Sequence, residues 1–141
     1  MAIRRIGRGF EFSKSLAGFQ DMKMKAPKII ANNSKNHFLE GFRKGGGQTD
    51  ASITGWEPRQ RTAKRNQGRG ILINTGALRR SIDVLKATWK EIIIGTTRIA
   101  YAERHNEGLA GMPQREFIGD SRALNEKNKK LLITLLGKVF K

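Results

Sequence analysis

Ile30, Ser34, Phe38 and Phe42 recur every fourth residue, flanked by Ile29 and His37, while Asn32, Asn33, Lys35 and Asn36 fall elsewhere. That spacing predicts one amphipathic helix. Pro27 suits its first turn, where a missing N–H costs nothing, and Gly45, Gly46 and Gly47 end it. A second stripe closes the chain. Leu124, Asn128, Leu131, Leu135 and Val139 trace one helical face, widened by Leu132 and Leu136, with Lys127, Lys129 and Lys130 mostly off it. Asp120 or Ser121 can cap this helix, Lys138 and Lys141 suit its negative end, and its stripe is assigned to the core.

Between the two helices the period changes. Ile82, Val84 and Ala87 alternate with Asp83 and Lys86, and Leu85 breaks the pattern. Residues 89–95 read as a second strand, with Ile92, Ile93 and Ile94 buried on both faces. Residues 88–90 turn between the two, so a hairpin is expected. Thr75 or Asn74 can cap a short helical turn through Leu78 and Arg79. Residues 101–107 read as a short helix closed by Gly108, and residues 115–118 as a third strand. The expected fold is α+β: an antiparallel sheet of three or four strands against long N- and C-terminal helices. One domain, 1–141, should hold it all. Residues 1–20 read as a flexible basic arm, with room for a short helix at its end. Residues 45–70 lack periodicity and read as a long basic loop, ordered on assembly.

Charge sharpens this picture. The chain has 28 Lys and Arg against 12 Asp and Glu, for a net +16. Residues 1–80 hold 17 basic and 5 acidic residues, so the excess sits in the first half. Such a surface attracts nucleic acid, acidic protein or anionic lipid. Cysteine is absent, which excludes disulfides, thiolate zinc sites and thiol nucleophiles. No apolar run approaches the ~20 residues that span a bilayer, and residues 1–10 lack the apolar stretch of a signal peptide. Cytoplasmic manufacture is expected, with no membrane partner.

Candidate chemistry is sparse. His37 lies on the apolar side of its helix and reads as packing. His105 has Glu103 and Glu107 two residues away on either side, a spacing that shares no helical face and so does not form a metal site. A nucleophile system built from Ser81, His105 and Asp120 lacks the strained turn such a serine needs. Paired carboxylates are absent because the acids are scattered. The segment Gly45-Gly46-Gly47-Gln48-Thr49 lacks the spacing of a phosphate loop. No catalytic residue, cofactor or metal is therefore expected. Arg59, Arg61, Lys64, Arg65 and Arg69 form a run without an acid between Pro58 and Gly70. They can neutralise phosphates, but no aromatic residue sits among them to stack on bases. A basic nucleic-acid-binding module is the alternative on this evidence.

Four short motifs then follow one another between Trp56 and Ser121. After Trp56-Glu57-Pro58 comes Ile71-Leu72-Ile73-Asn74-Thr75-Gly76-Ala77-Leu78-Arg79-Arg80-Ser81-Ile82. Next are Ile94-Gly95-Thr96 and Tyr101-Ala102-Glu103-Arg104-His105-Asn106-Glu107-Gly108, and then Met112-Pro113-Gln114-Arg115-Glu116-Phe117-Ile118-Gly119. The series resembles the virion-morphogenesis family of tailed phages, which includes tail-completion proteins of Mu-like phages and prophages. Its pattern is roughly L-x-x-T-G-x-L-x-x-S-I, I-G-T, Y-A-x-x-H-x-x-G and P-x-R-x-F-x-G. Glu107 and Leu109 depart from it, where the family often has an aromatic residue and a second glycine.

The resemblance implies a non-enzymatic subunit of a ring: head–tail joining at the neck, tail completion or tail termination. It would be assembled in the host bacterial cytoplasm and carried in the virion. Partners would be copies of itself and other neck, portal or tail proteins, with packaged DNA touched without sequence preference. Thr75, Gly76, Leu78, Ser81, Tyr101, His105, Gly108, Pro113, Arg115, Phe117 and Gly119 would then be structural. Thr75 and Gly76 would shape a capped turn, and Leu78 and Ile82 would pack inward. Tyr101 and His105, one helical turn apart, would share a face, with the imidazole bonded to a strand-end carbonyl. Phe117 would anchor the extended segment on the last helix.

Overall fold

The computed structural model describes residues 12–48, 53–59, 64 and 67–140. Helix α1 spans Phe12–Lys44, strands β1 and β2 are Gly46–Gln48 and Ile53–Gly55, and helix α2 is Ala77–Ser81. Strands β3 (Ile82–Ala87) and β4 (Ile92–Thr96) follow, then helices α3 (Ala102–Glu107) and α4 (Arg122–Val139). The class is α+β, with long N- and C-terminal helices and antiparallel strands. Among the described residues the strands form two separate pairs, β1–β2 and β3–β4. They do not join into the expected sheet of three or four. Residues 115–118, expected as a third strand, form none: the chain bends at 117–119, and the N–H groups of Phe117 and Ile118 go to a side chain.

Helix α1 starts well before Pro27. Residues 12–20, expected as part of a flexible arm, are helical, and 1–11 lie outside the described residues. Pro27 gives up one backbone bond inside the helix. Packing offsets that loss. Met22, Ala26 and Pro27 are buried, the Phe19 ring meets Trp89 edge-on at 6.3 Å, and Gly18 abuts Val139 near the end of α4. Tertiary burial, more than propensity, extends a helix through such a break.

The expected stripe holds where it meets the core. Ser34, Phe38 and Phe42 are buried. Phe42 packs edge-on to Trp56 at 5.4 Å and against Phe117 at 5.5 Å, and Leu78, Ile82 and Ala102 complete the cluster. This core sits at the C-terminal end of α1. Helix α4 runs antiparallel beside α1, since Asn128 bonds Asn33 at 2.8 Å and Ser34 at 3.0 Å while Val139 meets Gly18. Those amide and hydroxyl bonds fix the register of two otherwise slippery apolar faces. Ser121 caps α4, accepting from the Leu124 N–H at 3.3 Å.

The stripe on α4 is not consumed by the core. Leu124 is the buried residue of that helix; Leu131, Leu132, Leu135, Leu136 and Val139 are half-buried and Ile133 is exposed. Beyond the core, the tip of the β3–β4 hairpin meets α1, with Trp89 against Phe19, while the half-buried leucines toward the end of α4 stay partly open.

The β3–β4 hairpin turns at Trp89-Lys90, with Thr88 and Glu91 exchanging backbone bonds at 2.8 and 3.2 Å. Trp89 is thus in the turn and not the strand. The register slips between Val84 and Lys86, so Leu85, the residue that broke the alternation, is the extra residue of a bulge. Ile93 points outward while Ile92 and Ile94 are half-buried, so β4 is covered on one face only. Lys35 pairs with Asp83 at 2.8 Å and ties α1 to β3. That hydrogen bond, and one from the Val84 N–H, hold the Asp83 carboxyl below its ordinary pKa.

The long loop is only partly irregular. It contains the β1–β2 pair, whose register sets Gly46 against Gly55 and Gln48 against Ile53. Trp56 then bonds back to the Gly45 carbonyl at 2.9 Å.

Candidate functional site

Residues 70–74 make a tight turn, with the Ile73 N–H bonded to the Gly70 carbonyl at 3.1 Å. Leu72 occupies the left-handed region at φ 61°, a conformation that turns usually assign to glycine or asparagine. The strain is held by arginine. Arg59 Nη2 donates to the carbonyls of Gly70 at 2.7 Å and Ile73 at 3.3 Å, closing both ends of the turn. Arg69 Nη1 donates to the carbonyl of Asn74. Two members of the basic run are therefore braces for this turn. Lys64 is exposed; Arg61 and Arg65 lie outside the described residues.

Gly76 follows at φ 78° and occupies the cap position of α2, which corrects the expectation that Thr75 or Asn74 would cap it. Thr75 contributes differently: its Oγ1 accepts from the Ala77 N–H at 3.3 Å and its carbonyl accepts from Arg80 at 3.0 Å. Ser81 ends the turn, donating its hydroxyl to the Leu78 carbonyl at 2.7 Å.

Opposite stands α3, which ends as expected at Gly108. That residue takes φ 69° and donates its N–H to the Arg104 carbonyl. A Cβ there would lie 3.0 Å from backbone atoms of Gln114, so glycine is required by both conformation and contact. Tyr101 and His105 share a face, with their rings edge-on at 5.8 Å. The imidazole does not make the expected bond to a strand end. Its Nδ1 is buried with no hydrogen-bond partner among the described residues, and the pin is backbone: the Arg115 N–H donates to the His105 carbonyl at 2.8 Å. Burial, and then the Arg115 guanidinium, hold the imidazole below its ordinary pKa.

Asn106, which carried no role in the sequence motifs, organises the last one. Its Oδ1 accepts from the N–H groups of Phe117 at 3.0 Å and Ile118 at 3.1 Å, and its Nδ2 donates to the Ile118 carbonyl at 3.0 Å. A side-chain amide thus serves where a neighbouring strand would have. The available signal was its place between His105 and Gly108, facing the next motif. Phe117 enters the core against Phe42 rather than anchoring on α4. Trp56 Nε1 donates to the Glu116 carbonyl at 3.1 Å. Arg115, buried, donates Nε and Nη2 to the Glu57 carbonyl at 3.2 and 3.1 Å. Pro113 is half-buried on the way into this segment. The Glu116 carboxylate lies over Gly119, where a Cβ would collide with it. Burial, with Glu107 and Asp120 nearby, pushes that carboxyl above its ordinary pKa.

These pieces enclose a cleft of about 430 Å³. Its walls include Thr75, Gly76, Leu78, Tyr101, His105 and Arg115, so motifs from three stretches of chain converge on one place. Ile71, Leu72 and Arg59 line it too, and among the described residues no carboxylate does. Such a lining suits binding an anionic, partly apolar group. Ser81, donating to Leu78, and Asp120, accepting from Asn125 at 3.1 Å, are each engaged elsewhere. Among the described residues no three His, Asp or Glu side chains gather as a metal site, and no helix is long and apolar enough to cross a membrane. The chain matches no protein-family model, no curated protein and no solved structure.

Proposed function

We propose that this chain is a structural, non-enzymatic subunit of a ring in the neck or tail of a tailed bacteriophage, acting in head–tail joining, tail completion or tail termination. The observation that carries the proposal is the ordered motif series from Leu72 to Gly119, of which Thr75, Gly76, Leu78, Tyr101, His105 and Arg115 line one cleft. Two features add support. The half-exposed leucines of α4 leave an apolar flank open for a neighbour. Among the described residues no further strand pairs with the β3–β4 ribbon, and a strand from an adjacent copy would extend it toward a sheet of three or four. A ring needs such heterologous contacts that close on themselves, with other neck, portal or tail proteins above and below.

A basic nucleic-acid-binding module remains the second proposal, motivated by the net +16. Weighing against it, Arg59 and Arg69 spend hydrogen bonds on the chain's own carbonyls. Electron microscopy of particles assembled with and without this chain tests the first proposal. Stalled tails or unjoined heads are expected without it; normal tailed particles would overturn it. Anisotropy with random duplex at ~150 mM salt tests the second, since specific binders act at nanomolar levels there.

A further inference from the structure

We propose that the cleft between residues 70–78 and α3 is a receptor for an acidic peptide segment of a partner protein, whose carboxylate docks between Arg115, Arg59 and His105. That a virion neighbour supplies the segment rests on the assembly proposal; the recognition chemistry does not.

Charge gives the sign of the ligand. Among the described residues, two guanidinium groups and an imidazole line the cleft, and no acid does. Arg115 gives it orientation. Its Nε and Nη2 are fixed on the Glu57 carbonyl, Nη2 also reaching Pro58 at 3.5 Å. These bonds leave Nη1 for an outside acceptor on a planar group that is already immobilised. Pre-set guanidinium geometry is what carboxylate recognition exploits.

His105 supplies an independent mark. A buried nitrogen without a partner is rare in folded proteins and calls for a specific explanation. Nδ1 of His105 is such an atom among the described residues, and it belongs to a ring that lines the cleft. A turn of the ring about its Cβ–Cγ bond would bring that nitrogen to the cleft, where, protonated, it would donate to a docked carboxylate.

The remaining wall selects a peptide over a nucleic acid. Ile71, Leu72 and Leu78 give the cleft an apolar side, which an apolar residue beside the acid would cover. A phosphate backbone would set only charge against that surface. The volume falls in the range of pockets that hold small ligands. The strained Leu72 turn, braced by Arg59, fits a wall kept in shape for an incoming segment.

The test uses the full chain, labelled with ¹⁵N, titrated at ~150 mM salt with an acetylated Glu-Leu-Glu-Leu peptide. Saturable shifts are expected at Tyr101, His105 and the Arg115 side chain, and the His105 pKa should rise when peptide is bound. The Gln-Leu-Gln-Leu peptide should produce no such shifts. Ala77→Leu, which fills the cleft, and Thr75→Glu, at an exposed position of its rim, should each weaken binding about tenfold or more, the scale of one charge-assisted hydrogen bond. Lys127→Glu with Lys130→Glu, on exposed positions of α4, should change it less than about twofold, as screened surface charges do. Thr75→Glu keeps the test decisive if Ala77→Leu fails to fold. Shifts scattered over the lysines of α1 and α4, or equal binding of the amide peptide, would overturn the proposal. So would displacement of the peptide by inorganic phosphate or random duplex at equal concentration, which would mark a phosphate site. Because the assay needs only the free chain, its failure is separate from failure of the ring proposal, which particle microscopy decides.

Discussion

Removing the Asn106 amide is the sharpest test of how the motifs are joined. In Asn106→Ala four hydrogen bonds disappear together: two accepted from the Phe117 and Ile118 N–H groups, one donated to the Ile118 carbonyl, and an exposed one donated to the Glu107 carboxylate that water replaces. A typical bond contributes about 1 kcal/mol net, and a buried donor left unpaired costs about 1–3 kcal/mol. Phe117 is only 3% exposed, so water cannot readily replace the lost partner of its N–H. The Ile118 groups are half-buried and partly recover solvent. The expected loss is therefore about 3 kcal/mol, a large effect for a single substitution, with a fall in thermal midpoint of roughly 10 °C. Urea unfolding followed by tryptophan fluorescence reads it well. Trp56 is buried against Phe42 and bonded to the Glu116 carbonyl, one residue from Phe117, whereas Trp89 is exposed. A loss below about 0.5 kcal/mol would refute the claim that this amide holds the last motif in place of a strand.

The other predictions rest on separate features. Gly108→Ala should cost about 1–3 kcal/mol through its left-handed backbone and the nearby Gln114 backbone. Gly137→Ala, in an open part of α4, should instead stabilise by about 0.5–1 kcal/mol; chemical denaturation compares the two. The folded-state pKa of His105 is depressed, so protonation favours the unfolded chain. Its contribution to stability should be complete above the ordinary imidazole range and fall away as pH drops through the folded value; His105→Asn should flatten that part of a stability–pH curve. Glu116 is shifted the opposite way, so Glu116→Gln should raise the melting temperature more at pH 7 than at pH 4. Reversing Arg61, Lys64 and Arg65 to Glu should impair particle joining with an unchanged circular dichroism spectrum. Arg59→Glu should lower stability itself, because Arg59 braces the 70–73 turn.

Local chemistry was legible along the chain wherever neighbours in sequence decide it. The stripe through Ser34, Phe38 and Phe42, the Ser121 cap, the close of α3 at Gly108 and the hairpin around residues 88–91 depend on periods and on side chains a few residues apart. Even the Leu85 irregularity was visible, and the structure turns it into a bulge. Tertiary structure decided the rest, because those outcomes depend on partners distant in sequence. Helix α1 crosses Pro27 since Trp89 and Val139, far along the chain, cover its first half. Residues 115–118 fail to join a sheet since distant groups take their hydrogen bonds: His105 at Arg115, Trp56 at Glu116, and Asn106 at Phe117 and Ile118. Arg59 and Arg69 look like solvent-facing charge in a basic run, yet they brace a turn whose carbonyls point at them only after folding. The cleft is the clearest case. Its lining residues, from Arg59 to Arg115, were legible by type and spacing, but their convergence requires α3 to pack against the 70–78 turn, and no periodicity encodes that long-range packing.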